Sequence, residues 1–189
     1  MKGAVAQFFV VAATLLFGAE TAPAQSVEAK VQLCASCHGQ AGLPSDHTVP
    51  IIWGQQAAYL RKQLNDYRSD DRDSQIMSSI AESLTDNEVS QIAAHFGNAA
   101  WPAEPKASLP TAPAAIATCQ ACHGANLTGG VSPAGTAPRL AGQTSPYLID
   151  TMTAYANGER ANSPLMASLM QSVSTADRKA IAEYLAAMR

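Results

Sequence analysis

The sequence predicts an all-α chain built as two tandem small domains joined by a proline-rich linker, and three observations lead there. The chain repeats itself, its apolar residues recur at helical spacing without sustained strand alternation, and a cluster of prolines separates the two copies.

The repeat is dense. Cys34-Ala35-Ser36-Cys37-His38-Gly39 recurs as Cys119-Gln120-Ala121-Cys122-His123-Gly124 at an offset of 85. Pro50-Ile51-Ile52-Trp53-Gly54-Gln55 recurs as Pro138-Arg139-Leu140-Ala141-Gly142-Gln143 at an offset of 88, as do Tyr59-Leu60 and Tyr67 in Tyr147-Leu148 and Tyr155. Met77 through Leu84-Thr85-Asp86 to Phe96 meets Met166 through Val173-Ser174-Thr175 to Leu185 at an offset of 89. Small loop insertions separate the copies.

Within each copy the spacing predicts three helices: one leading into the cysteines, one over 55–68 or 143–156, and one over 86–96 or 175–188. Thr85, and Ser174 or Thr175, are the expected N-caps of the last helix. Between the copies Pro102, Pro105, Pro110 and Pro113 remove backbone donors and fix φ, which predicts an extended, semi-rigid linker. The domains are placed at 25–100 and 110–189, with 101–109 as the linker. Residues 1–24 read as a cleavable signal peptide: Lys2 precedes an apolar run from Phe8 to Phe17, and Ala22-Pro23-Ala24 places small residues before Gln25. Ten strongly apolar residues fall short of the roughly 20 a spanning helix needs. The expected location is the periplasm.

Composition narrows the function. The chain of 189 residues carries 12 Lys+Arg against 15 Asp+Glu, a net charge of -3, with 47% hydrophobic residues and a mean hydropathy of -0.03. A mildly acidic balance excludes the clustered positive charge that nucleic acid demands. With 4 Phe, 5 Tyr and 2 Trp, two small domains lack the large rings that dominate core burial, so another apolar body is expected inside them.

The cysteines identify that body. All four fall in two Cys-x-x-Cys-His motifs, the pattern of c-type haem attachment. Cysteines at i and i+3 share a helical face, so both thiols reach the two vinyl groups while the following His turns to the iron. With four histidines in 189 residues, chance places a His after both pairs roughly once in 2,000. Structural zinc wants its Cys-x-x-Cys pairs about 15 to 20 residues apart, and here 81 intervene. Local disulfides leave both trailing histidines and the repeated methionines unexplained, and thioredoxin-like chemistry needs a βαβ setting.

A haem iron that only passes electrons wants a second axial ligand, and Met raises the potential. Met77 is the one methionine of the first domain, and Met166 holds the equivalent place in the second, in preference to Met152, Met170 and Met188. Both are expected in a loop before the last helix. His95 lies where the second copy has Tyr184, which favours half-buried aromatic packing, and His47 is expected as a solvated loop residue. Pro50 and Pro138 lie 12 and 15 residues beyond the haem histidines, where a carbonyl accepting from the imidazole fixes its tautomer; Leu43-Pro44 is the competing position in the first copy. Trp53, Tyr59, Tyr147 and Arg139 are candidates to meet the haem or its propionates, with ordinary packing the alternative for each.

On these residues the chain resembles the cytochrome c4 family, exported dihaem proteins made of two class-I-like cytochrome c domains. The likeness spans nearly the whole chain beyond residue 24. It rests on the doubled Cys-x-x-Cys-His-Gly, on 138–143 with its variant at 50–55, and on Met77 and Met166. The resemblance implies two covalently bound haem c groups on Cys34, Cys37, Cys119 and Cys122. It implies His38 with Met77 and His123 with Met166 as axial pairs, and haems facing each other across a domain interface. Trp53, the short loop after His38 and a shorter first domain depart from the pattern.

The expected function is electron transfer between a respiratory donor and a terminal oxidase or other acceptor, as a carrier and not an enzyme. The alternative is the haem-carrying subunit of a larger oxidoreductase of the flavin- or alcohol-dehydrogenase type. A dihaem peroxidase would need an open iron position, which the paired methionines argue against. Expected partners are redox proteins: a terminal oxidase, a quinol–cytochrome c reductase or a dehydrogenase, with peripheral membrane association allowed and nucleic acid excluded. Residues 25–100 carry a net -4 and 101–189 a net +1, so a basic partner is expected near Asp70, Asp71 and Asp73.

Overall fold

The computed structural model describes residues 26–102, 108–132 and 135–188. The expected leader, and residues 103–107 of the expected linker, lie outside the described residues. Eight helices and one short hairpin make up the described chain: α1 Val27–His38, α2 Ala57–Arg68, α3 Gln75–Glu82, α4 Asp86–Asn98, α5 Ile116–His123, β1 Gly130–Ser132, β2 Gly135–Ala137, α6 Ser145–Asn157, α7 Pro164–Ser172 and α8 Thr175–Ala187. Helices α1–α4 and α5–α8 are the two copies of the repeat. No helix among the described residues is long and apolar enough to cross a membrane.

Local chemistry sets the ends of these helices. Ser26 caps α1 by accepting from the Ala29 amide, and the helix stops at Gly39 with φ 94°. A Cβ there would lie 2.3 Å from the Leu43 carbonyl oxygen, so the residue after the motif histidine has to be glycine. Helix α4 opens on a reciprocal cap: the Glu88 amide donates to Thr85 Oγ1 at 3.3 Å and the Thr85 amide to Glu88 Oε2 at 2.8 Å. Glu88 also takes Lys30 of α1 at 2.7 Å, which ties the first helix of the repeat to the last. In α8 the cap is Ser174, accepting from the Asp177 amide.

Each copy has its own core. Val31, Leu84, Val89, Ile92 and Phe96 form the first, with Trp53, Leu60, Leu64 and Cys34 packed on its margin. The second is larger and includes Leu127, Leu148, Met152, Tyr155, Met170, Ile181 and Leu185. Met170 and Met152 are thus core residues.

Two features differ from the sequence reading. Met77 and Met166 lie on short helices, α3 and α7, where loops were expected; Ser74 caps the first by accepting from the Met77 amide, and Pro164 opens the second. Helices of 8 and 9 residues are too short for their periodicity to stand out in a Ser- and Asp-rich stretch. The chain is also not free of strand: β1 and β2 pair antiparallel through Gly130–Ala137, Val131–Thr136 and Ser132–Gly135. They occupy the loop across which the repeat offset grows from 85 to 88. Three-residue strands carry too few positions for alternation to show.

Candidate functional site

Helix α1 delivers Cys34, Cys37 and His38 at its C-terminal end, and α5 delivers Cys119, Cys122 and His123 in the same way. None of the four thiols is in a disulfide; Cys37 is exposed and the others are half-buried. Burial raises the thiols of Cys34 and Cys119 above their ordinary value.

Both histidines are buried, at 7% and 6% exposure, and each is held by one proline carbonyl. His38 Nδ1 donates to the Pro50 oxygen at 2.8 Å and His123 Nδ1 to the Pro138 oxygen at 2.9 Å. The competition with Pro44 is therefore decided for Pro50. Burial lowers both imidazoles below the ordinary histidine value, with the carbonyl bonds pulling the other way. A neutral ring whose Nδ1–H is committed to a carbonyl keeps its lone pair on Nε2, the form an iron ligand needs. Met77 and Met166, both half-buried, are each the third residue of their helix.

The repeats meet through the same blocks that carry those prolines. Gln143 receives the Ile51 amide on Oε1 at 2.9 Å and donates Nε2 to the Ile51 oxygen at 3.0 Å. Gln55 does the same to Arg139, at 2.7 and 3.0 Å. Ile51 and Arg139 are equivalent in the repeat, as are Gln55 and Gln143, so the contact has a pseudo-twofold relation. At one edge Thr144 Oγ1 donates to the His47 oxygen at 2.6 Å, and the Tyr147 amide in the first turn of α6 donates to it at 3.3 Å. The exposed His47 ring matches expectation, while its carbonyl has become a helix cap for the other repeat.

Beside this contact lies a polar cluster drawn from both copies. Arg160 donates to Tyr59 Oη at 3.2 Å and to Gln63 Oε1 at 2.7 Å, and Arg72 donates to Tyr147 Oη at 3.4 Å and to that same Gln63 oxygen at 2.7 Å. The guanidinium groups stack on Tyr155 and Tyr67 respectively, each 4.6 Å from the ring centroid. Among the described residues neither arginine has a carboxylate partner, and the buried Nη1 of Arg160 has no partner at all. Burial pushes the Tyr147 phenol up, but the two guanidinium groups outweigh it and hold the phenol below its ordinary value. Two guanidinium groups with no carboxylate partner among the described residues fit a carboxylate-bearing group such as a haem with its propionates. So does the donor set in each copy: two unpaired thiols and a neutral imidazole on one helix end.

The remaining expectations resolve residue by residue. Trp53 spends its indole N–H on the Gly39 oxygen at 2.9 Å and meets His95 edge-on at 6.1 Å. His95 is an aromatic packing residue, as expected, but exposed and not half-buried. Arg139 lies over Trp101 at 4.5 Å and donates Nε to the Ala141 oxygen at 2.8 Å. Asp70, Asp71 and Asp73 are exposed. Sequence reasoning assigned no role to Arg72, Arg160, Gln55 or Gln143, although the recurrence of the Gln pair at the Pro offset was a signal for them.

The chain is similar to known proteins. The family model for cytochrome c matches residues 113–189. A thiosulfate dehydrogenase electron acceptor of Stutzerimonas stutzeri is 34% identical over 81% of this chain and 77% of its own. A cytochrome c4 of Thiocapsa roseopersicina is 30% identical over 85% of this chain and 90% of its own. Among solved structures, the cytochrome c4 of Acidithiobacillus ferrooxidans superposes with a TM-score of 0.70 at 31% identity, covering 82% of this chain and 97% of that one.

Proposed function

The chain belongs to the cytochrome c4 family, a family of c-type electron carriers, and from that premise we propose a periplasmic dihaem protein that passes electrons between a respiratory donor and a terminal oxidase or other acceptor. The observation that carries the reading is the duplicated motif geometry, in which a buried His held at Nδ1 by a proline carbonyl ends a helix bearing two unpaired thiols. Bound haem c supplies a one-electron iron couple. Cys34 and Cys37 would hold the first group and Cys119 and Cys122 the second, with His38 and His123 offering Nε2 and Met77 and Met166 their thioethers as the candidate iron ligands. Arg72 and Arg160 provide the positive charge that propionates require. The domains span 25–100 and 110–189 about the linker at 101–109, and residues 1–24 direct export and are removed.

Counting haem per chain tests this reading. Matured in an exporting host, the protein should carry two covalent haems that survive denaturation, and a Cys34→Ser/Cys37→Ser variant should carry one. One haem or none in the parent overturns it. A second reading, the electron-transfer subunit of a dehydrogenase, is favoured by the 34% identity to a thiosulfate dehydrogenase electron acceptor. Size exclusion followed at the haem band separates the two. A species with the mass of a single haem-loaded chain marks a free carrier, and co-elution with a larger redox protein marks a subunit.

A further inference from the structure

Each buried histidine is wired to the opposite repeat through a single peptide group. The Pro50 carbonyl that accepts from His38 Nδ1 at 2.8 Å and the Ile51 N–H that donates to Gln143 Oε1 at 2.9 Å belong to one amide. The Pro138 carbonyl that accepts from His123 at 2.9 Å and the Arg139 N–H that donates to Gln55 Oε1 at 2.7 Å belong to another. Gln55 and Gln143 are 4% and 3% exposed, so water does not compete for these bonds. Each Oε1 also accepts the backbone amide of the next residue, Thr144 or Gln56, at 2.9 Å, and each Nε2 donates to the Ile51 or Arg139 oxygen at 3.0 Å, so the carboxamide is fixed with Oε1 toward the N–H.

We infer that Gln55 and Gln143 are positioning residues that tune, each from its own domain, the reduction potential of the haem in the other domain. Hydrogen bonds through one amide reinforce each other: drawing on the N–H puts electron density on the carbonyl oxygen and makes it the stronger acceptor. The Gln143 acceptor thereby strengthens the His38 Nδ1–H bond, raises the donor power of Nε2 and favours ferric over ferrous iron at the first site. Gln55 does the same for His123 and the second site. Separation of the domains removes both acceptors at once, so docking itself lowers both potentials. The inference rests on the dihaem reading above.

The test is spectropotentiometry of the haem-loaded protein. Met77→His and Met166→His, each moving one wave strongly, identify which wave belongs to which domain. Gln143→Leu should raise the first-domain wave and leave the second in place, and Gln55→Leu should do the reverse. The expected size is about a threefold change in the ferrous-to-ferric ratio at fixed potential, roughly 28 mV at 59 mV per tenfold. Gln143→Glu keeps an acceptor oxygen in either protonation state and should leave the first wave at or below its parent position, an opposition of sign that loosened packing would not produce. Thr144→Val, which removes an interface bond that bypasses the histidine peptides, should move neither wave. A shift in the Gln variant's own domain, equal shifts in both, no shift, or a Thr144→Val shift as large as that of Gln143→Leu overturns the inference while leaving the dihaem reading intact. Absence of two waves in the parent overturns the dihaem reading instead.

Discussion

Replacing Gly129 by Ala should destabilise the second domain through the very peptide that holds His123. Gly129 has φ 77°, and a Cβ there would lie 2.6 Å from the Ala137 oxygen, the Arg139 nitrogen and the Pro138 carbonyl carbon. Real Cβ contacts essentially never fall under 3.0 Å, so the backbone has to shift by about 0.4 Å. All three atoms are main chain and cannot rotate aside. Holding a side-chain-bearing residue at this φ costs about 1–2 kcal/mol, and forcing atoms into packed space about 1–3 kcal/mol more. Gly158→Ala separates the two contributions, because that residue has φ 84° at the end of α6 with nothing within 4 Å of a Cβ. Gly129→Ala should therefore cost about 2–5 kcal/mol and Gly158→Ala about 1–2 kcal/mol. The assay is equilibrium urea unfolding of the haem-loaded protein, read as a change in midpoint at constant slope. If the two variants agree to within about 0.5 kcal/mol, the steric argument for the Pro138 peptide fails.

Two further outcomes follow from the same geometry. The Lys30 ammonium, with help from Thr85, holds the Glu88 carboxyl at about 2, against an ordinary value of 4.5. A carboxyl whose value is lowered on folding contributes stability that is present above 4.5 and lost as pH falls toward 2. The stability gap between the parent and Glu88→Gln should therefore be constant at neutral pH and close across that acid range, and a gap independent of pH would refute the pairing. Met77→Ala should open one iron to carbon monoxide and Met166→Ala the other, with the double variant binding two equivalents per chain and the parent none in optical titration; tight binding by the parent at either haem would refute the Met assignment there.

The helices that carry the motif residues were legible because their signals are local. Thr85 and Glu88 are three residues apart, Cys34 and Cys37 share one turn, and Pro50 follows His38 within one loop. Helices α3 and α7 were not legible, since 8 or 9 residues give little periodicity and their formation depends on Ser74 and Pro164 at their starts. The β1–β2 hairpin was hidden for the same reason of length, and its register depends on how the loop after His123 closes on Gly129.

By itself the sequence determined the doubled attachment motif, the mostly helical repeat and Pro138 as the proline that holds His123, because each depends on residues within about one helix or one loop of each other; between Pro44 and Pro50 for His38 the structure decided. Only the tertiary structure decided what the repeated glutamines and arginines do. Gln55 meets Arg139 and Gln143 meets Ile51 across separations of 84 and 92 residues. Arg160 reaches Tyr59 and Gln63 over 101 and 97. A polar residue's partner so far along the chain cannot be read from local spacing, since it is selected by how two finished surfaces meet. The cross-domain wiring of the two histidines therefore comes into being only when one repeat docks on the other.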